Sequence, residues 1–144
     1  MSQDRAFVTP EERTELALML SRKYGAALNQ RYFEVDLKSD GNGVYAKVTL
    51  RDKSGSFYYP VEGRIAHEDH SMSNREAALF LVDYIDAYYE EYLRDGETFL
   101  PIDWAEYEAD GVVFQLKGQV MNLEAERLAD EFLARAEGVV STLH

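Results

Sequence analysis

The 144 residues carry 27 acidic against 15 basic side chains, a formal net charge of −12, with 46% hydrophobic and 29% charged residues and no cysteine. That balance is globular, and a chain of this length buries about two-thirds of its unfolded surface, enough for a core without staples. The composition excludes disulfides, thiolate catalysis and cysteine metal centres, and the acidic field opposes nucleic-acid and anionic-membrane binding.

The first 25 residues are charged throughout, so no secretory leader is expected, and the longest strongly apolar run, Ala77 to Val82, is too short for a bilayer. A cytoplasmic location follows as the expectation from the missing cysteines. With no repeat, low-complexity tract or linker, the chain reads as a single domain over 1–144, with an ordered core at about 9–137 and short flexible termini.

Thr9-Pro10-Glu11-Glu12 is a helix start, with threonine as cap, proline in the first turn and Glu12 closing a capping box. Leu16, Met19, Leu20 and Tyr24 follow at helical spacing, and Gly25 stops the run. From Tyr32 the period becomes two, with Phe33, Val35 and Leu37 facing inward. Ser39 to Gly43 is turn chemistry, because Gly and Asn tolerate positive φ. The next strand turns Val44, Ala46, Val48 and Leu50 inward and Tyr45, Lys47, Thr49 and Arg51 outward. A third sets Phe57, Tyr59, Val61 and Ile65 on one face; Pro60 predicts an edge there, and Gly63 a bulge.

Ser73-Asn74-Arg75-Glu76 is a second capping box, opening a long helix to about Arg94 that Asp95-Gly96 ends. A strand around Ile102 to Tyr107, the hairpin signal Asp110-Gly111, and a strand from Val112 to Val120 come next. Asn122 then caps a last helix with the inner stripe Ala125, Leu128, Ala129, Phe132 and Ala136. The fold class is therefore α+β, in the order α-β-β-β-α-β-β-α. Its antiparallel five-stranded sheet has helices packed on one face.

The middle helix is unusually apolar. Asp83, Asp86, Glu90 and Arg94 make one narrow polar stripe, leaving an apolar arc of roughly half the circumference. Tyr84, Tyr88 and Tyr92 form a ladder at i, i+4, i+8, beside Val82, Ile85, Tyr89 and Leu93. This surface serves either packing within the chain or a partner, most simply a twofold copy of itself. The partner reading takes Tyr84, Ile85, Tyr88, Tyr89 and Tyr92 as its contact set.

His67-Glu68-Asp69-His70 is the one concentration of metal-ligating types, and His67 with His70 are its candidate ligands. It lies in a loop, without the His-Glu-x-x-His spacing that gives zinc peptidases their base. Asp103 and Glu106 flank Trp104, a pairing that suits a sugar or a basic peptide and equally an exposed strand edge. The serines sit in turns and caps, and Gly41-Asn42-Gly43 precedes a strand rather than a helix, so no nucleophile elbow or phosphate loop is present.

The derived order of elements, from Thr9 to about Ala136, resembles the class I type III secretion chaperones and the wider chaperone-like bacterial proteins of the YbjN type. That resemblance implies a homodimer joined partly through the helix from Ser73 to Arg94. It also implies binding of an extended client segment on outer surfaces, without catalysis or cofactor. The expected function is a non-enzymatic protein-binding or chaperone-like module. The alternatives are a metal-dependent or small-ligand enzyme at His67 and His70, and a structural subunit of a larger assembly.

Overall fold

The computed structural model describes residues 7–52, 57–94, 99, 101–122 and 131–132. Thr9 opens the first helix, α1 (Pro10–Tyr24), with the full capping box: its hydroxyl accepts from the Glu12 amide, and Glu12 accepts from the Thr9 amide. Gly25 ends it at φ 49, and a 3-10 turn over Gly25–Leu28 leads into the sheet. Asn29 and Gln30 then both adopt positive φ, a reversal that no glycine marks in the sequence.

Three consecutive strands follow: β1 (Arg31–Ser39), β2 (Gly43–Asp52) and β3 (Phe57–Ala66). The long helix is α2 (Asn74–Leu93), after which come β4 (Ile102–Ala109), β5 (Val112–Gly118) and a short β6 (Met121–Asn122). The fold is α+β, and every strand pairing is antiparallel, in the order β1-β2-β3-β5-β4 with β6 also on β3.

Register puts the apolar set on one face. Phe33 lies opposite Leu50, Val48 opposite both Val35 and Val61, and Val44 opposite Ile65. Over this face α2 buries Ala77, Ala78, Leu81, Val82, Ile85 and Tyr89. Each large side chain so buried contributes about 1.5–3 kcal/mol, and this interface is the centre of the core.

Several local expectations are corrected by their surroundings. Pro60 does not mark an edge, because β3 is interior. Beyond β2, its neighbour changes from β5 to β6 at that point, and only the Pro60 carbonyl is used, accepting from the Gln119 amide at 3.0 Å. The missing donor falls in a gap of the ladder. Gly63 is no bulge: it pairs regularly with Ala46 and Leu116. A Cβ there would stand 3.0 Å from Leu81 Cδ2 and 3.1 Å from Leu116 Cδ2, so this glycine lets α2 lie close on the sheet.

The turn before β2 is held by Asp40, whose Oδ1 accepts from the amides of Asn42 and Gly43, rather than by a left-handed asparagine. Asn122 pairs with Phe57 as part of β6, and the start of the helix expected to follow it lies outside the described residues. Glu131 and Phe132 are helical, but Phe132 is 70% exposed and does not face inward. Ala125, Leu128, Ala129, Ala136 and the Asp95-Gly96 stop lie outside the described residues.

The two helices are joined by polar contacts that the sequence places far apart. Tyr24 packs its ring on Phe33 at 5.9 Å and donates its hydroxyl to Asp86 Oδ1 at 2.5 Å. Burial, then that carboxylate, raise the Tyr24 pKa, so it stays a neutral donor. Lys23 Nζ reaches the other Asp86 oxygen at 2.7 Å. At the opposite end Arg75 grips Glu12 through both guanidinium amino groups, with Nη1 to Oε1 at 2.8 Å.

The Arg75 hydrogen bond, then the Thr9 amide, hold the Glu12 pKa down, from 4.5 to about 2. A depressed carboxylate contributes stability that is present above its unfolded value and lost as pH falls through the folded one. Stability should therefore decline between about pH 4.5 and 2 with a component from Glu12. Glu12→Gln should flatten that decline in thermal unfolding measured across the window; an unchanged slope would refute the assignment.

Candidate functional site

Two places gather the features that chemistry or binding would use. The first is the tyrosine-rich helix. Its five candidate contact residues divide by orientation. Ile85 and Tyr89 are 0% exposed and face the sheet, so in this fold neither offers a surface to a partner. Tyr92 lies against Tyr59 and Phe99, with its hydroxyl taking a 2.8 Å hydrogen bond from Arg31 Nη1.

Tyr84 and Tyr88 remain half-buried. Tyr84 packs on Phe80 and Phe114, at 4.9 and 4.8 Å between ring centroids, and Tyr88 meets Phe99 edge-on. Tyr107 of β4, 40% exposed, stacks on the same Phe114. Phe80, Tyr84, Phe114 and Tyr107 thus form one connected aromatic cluster. The polar stripe of α2 turns instead toward α1, where Asp86 and Glu90 meet Lys23.

The second place is a groove of about 540 Å³ at the end of the sheet where β1 and β3 finish. The strand pairings align Lys38, Tyr45, Arg64, Gln115 and Glu106 as successive cross-strand neighbours on β1, β2, β3, β5 and β4. All five line the groove. They point to the face opposite the apolar set, since inward and outward residues alternate along a strand.

Arg64 stacks on Trp104, with its guanidinium carbon 3.8 Å from the ring centroid, and donates from Nε to Gln115 Oε1 at 2.5 Å. Lys38 Nζ lies 4.6 Å from the Tyr45 ring centroid. Tyr45 donates its hydroxyl to Glu62; burial and that carboxylate raise its pKa, and it stays protonated. Among the described residues Lys38, Lys47, Arg64 and Lys117 form no ion pair, although the chain holds 27 acids.

The histidine segment frames this groove. His67–Asp69 is a 3-10 turn, and Asp69 lines the groove together with Asp40 and Asn42. His67 Nε2 contacts the Asp40 carbonyl at 2.6 Å, tying the two turns together. The His67 and His70 rings lie 6.3 Å apart, and both His70 ring nitrogens are shielded from solvent without a hydrogen-bond partner. Among the described residues no three His, Asp or Glu side chains converge as a metal set.

Trp104 does sit at a site of mixed charge, but its neighbours are Arg64 and Lys117 rather than Asp103 and Glu106 alone. Sequence reasoning passed over Lys38, Tyr45 and Arg64 because each is an ordinary outward strand residue. The one available signal was alternation, which already put Tyr45 on the outward face.

No helix of the described residues is long and apolar enough to cross a membrane. Comparison with known proteins found no match to this chain among family models, curated proteins or solved structures.

Proposed function

We propose that this chain is a non-enzymatic, chaperone-like protein-binding module that works as a homodimer, in the manner of the class I type III secretion chaperones and YbjN-type proteins it resembles. The observation that carries the reading is the aromatic cluster of Phe80, Tyr84 and Tyr107 around Phe114, left half-exposed on α2 and β4. Aromatic rings with a polar tip suit an interface that must also tolerate water in the free subunit. A twofold contact needs one self-complementary patch, and this cluster is the surface we assign to it.

Light scattering at micromolar concentration tests the proposal directly. A dimer is expected, and Tyr107→Glu should shift it toward monomer with only a small drop in unfolding midpoint, since Tyr107 is 40% exposed on an edge strand although it stacks on Phe114. Tyr84→Asp should do the same at some cost in stability, because Tyr84 also packs on Phe114. A wild-type monomer, or a dimer indifferent to both changes, sinks the interface.

A further inference from the structure

The sheet-end groove has a property that its composition does not reveal: among the described residues its charged side chains form no ion pair, and its guanidinium is held in a fixed orientation. Arg64 is held in one plane by two contacts, the Trp104 ring on its face and the Gln115 oxygen on Nε. Both terminal amino groups are left without a partner among the described residues, and together they form the planar fork that matches a carboxylate. Lys38, fixed over Tyr45, stands two strands away, at about 10 Å by strand spacing. On the rim, Asp69 and Glu106 carry no ion pair among the described residues either. Asp40 is different, because its Oδ1 is already used within its own turn.

We propose that this groove binds a small zwitterion. Its carboxylate lies on the Arg64 fork, with Lys38 adding positive charge from two strands away, and its ammonium group is directed to Asp69 and Glu106. A site whose donors are fixed before the ligand arrives loses little entropy on binding, and that is what the Trp104 and Gln115 contacts provide. Charge decides the rest. A dianion of the same length would set its second carboxylate against the acidic rim in a chain of net charge −12. A simple cation would leave the fork unmatched. The groove volume, about 540 Å³, suits a ligand of small-molecule size. The proposal does not depend on the chain being a dimer.

Amide NMR titration of the full chain with ε-aminocaproate, adipate, hexylamine and inorganic phosphate tests it. Saturable shifts are expected with ε-aminocaproate at Gly43, Arg64, Ala66 and Gln115, with adipate and hexylamine weaker by about tenfold. Arg64→Lys keeps the charge but loses the fork, and should weaken ε-aminocaproate by about tenfold. Trp104→Leu keeps the guanidinium but removes its platform, and should weaken it by a few-fold. Both positions are on the outer face, so the remaining amide spectrum should be preserved and loss of fold is read separately. The proposal is overturned by an absence of saturable shifts, by adipate or phosphate binding as tightly as the zwitterion, or by full affinity in Arg64→Lys.

Discussion

Gly43→Ala is expected to destabilise the protein by about 3 kcal/mol, more than any other single added methyl group we would make on the surface. Gly43 opens β2 at φ 155 and pairs with Ala66. A Cβ there would be driven into the Ile65 carbonyl oxygen and to 3.0 Å from Ala66 Cα. Both are backbone atoms of β3, so no side-chain rotation relieves the contact, and the first rung of the β2–β3 ladder must open. Gly41, two residues earlier, has nothing within 4 Å of the same added atom and no positive φ. Gly41→Ala should therefore be nearly neutral. Urea unfolding of the pair is the measurement, and equal midpoints would show that the turn yields freely. The groove lies beside this rung, with Gly43 in its lining, so the Gly43 variant should also lose ligand shifts there.

The second large effect is at Tyr89. Its ring is fully buried, meets Phe33 edge-on at 5.2 Å, and lies under the middle of α2. Its hydroxyl reaches two backbone carbonyls, donating to Val48 O at 2.7 Å and contacting Tyr59 O, so one side chain pins the helix to both β2 and β3. Burial raises the Tyr89 pKa far above the ordinary tyrosine value, and the group remains a neutral donor. Tyr89→Phe removes only the donor and leaves both carbonyls short of a partner, at a cost of about 1–3 kcal/mol. Tyr89→Ala also removes the ring and should cost about 3–5 kcal/mol. Equilibrium unfolding of the two variants separates the polar from the packing contribution. A Phe variant as stable as the parent would mean that the carbonyls are satisfied within the sheet.

These two positions show where local pattern suffices and where it does not. The period-two alternation of Phe33 to Leu37 and Val44 to Leu50 identifies the buried face correctly, because a strand fixes side-chain direction residue by residue. The Thr9 box is also legible, since all its partners lie within four residues. The Ser73 box is only half so: Glu76 accepts from the Ser73 hydroxyl, at 3.1 Å, rather than closing on the cap amide. Gly63 and Pro60 were misread from the same local rules. Their meaning depends on Leu81, Leu116 and Gln119, which are 18, 53 and 59 residues away in sequence.

The tyrosine-rich helix illustrates the same division. Helical spacing shows that Tyr84, Ile85, Tyr88, Tyr89 and Tyr92 share a broad arc, but not which part of that arc the sheet consumes. Tertiary packing assigns Ile85 and Tyr89 to the core and leaves Tyr84 and Tyr88 half-covered. The candidate groove was less legible still. Lys38, Tyr45, Arg64, Gln115 and Glu106 come from five strands and have no common spacing, so only the register of four ladders brings them into one row.

By itself the sequence determined the α+β class, the capped starts of both described helices, the buried face of each central strand and the acidic surface. These depend on the chemistry and period of neighbouring residues. The tertiary structure decided the strand order, the part of α2 left half-covered and the stacking of Arg64 on Trp104. Those depend on contacts between residues far apart in the chain, where register and close packing, rather than local propensity, determine which side chains meet.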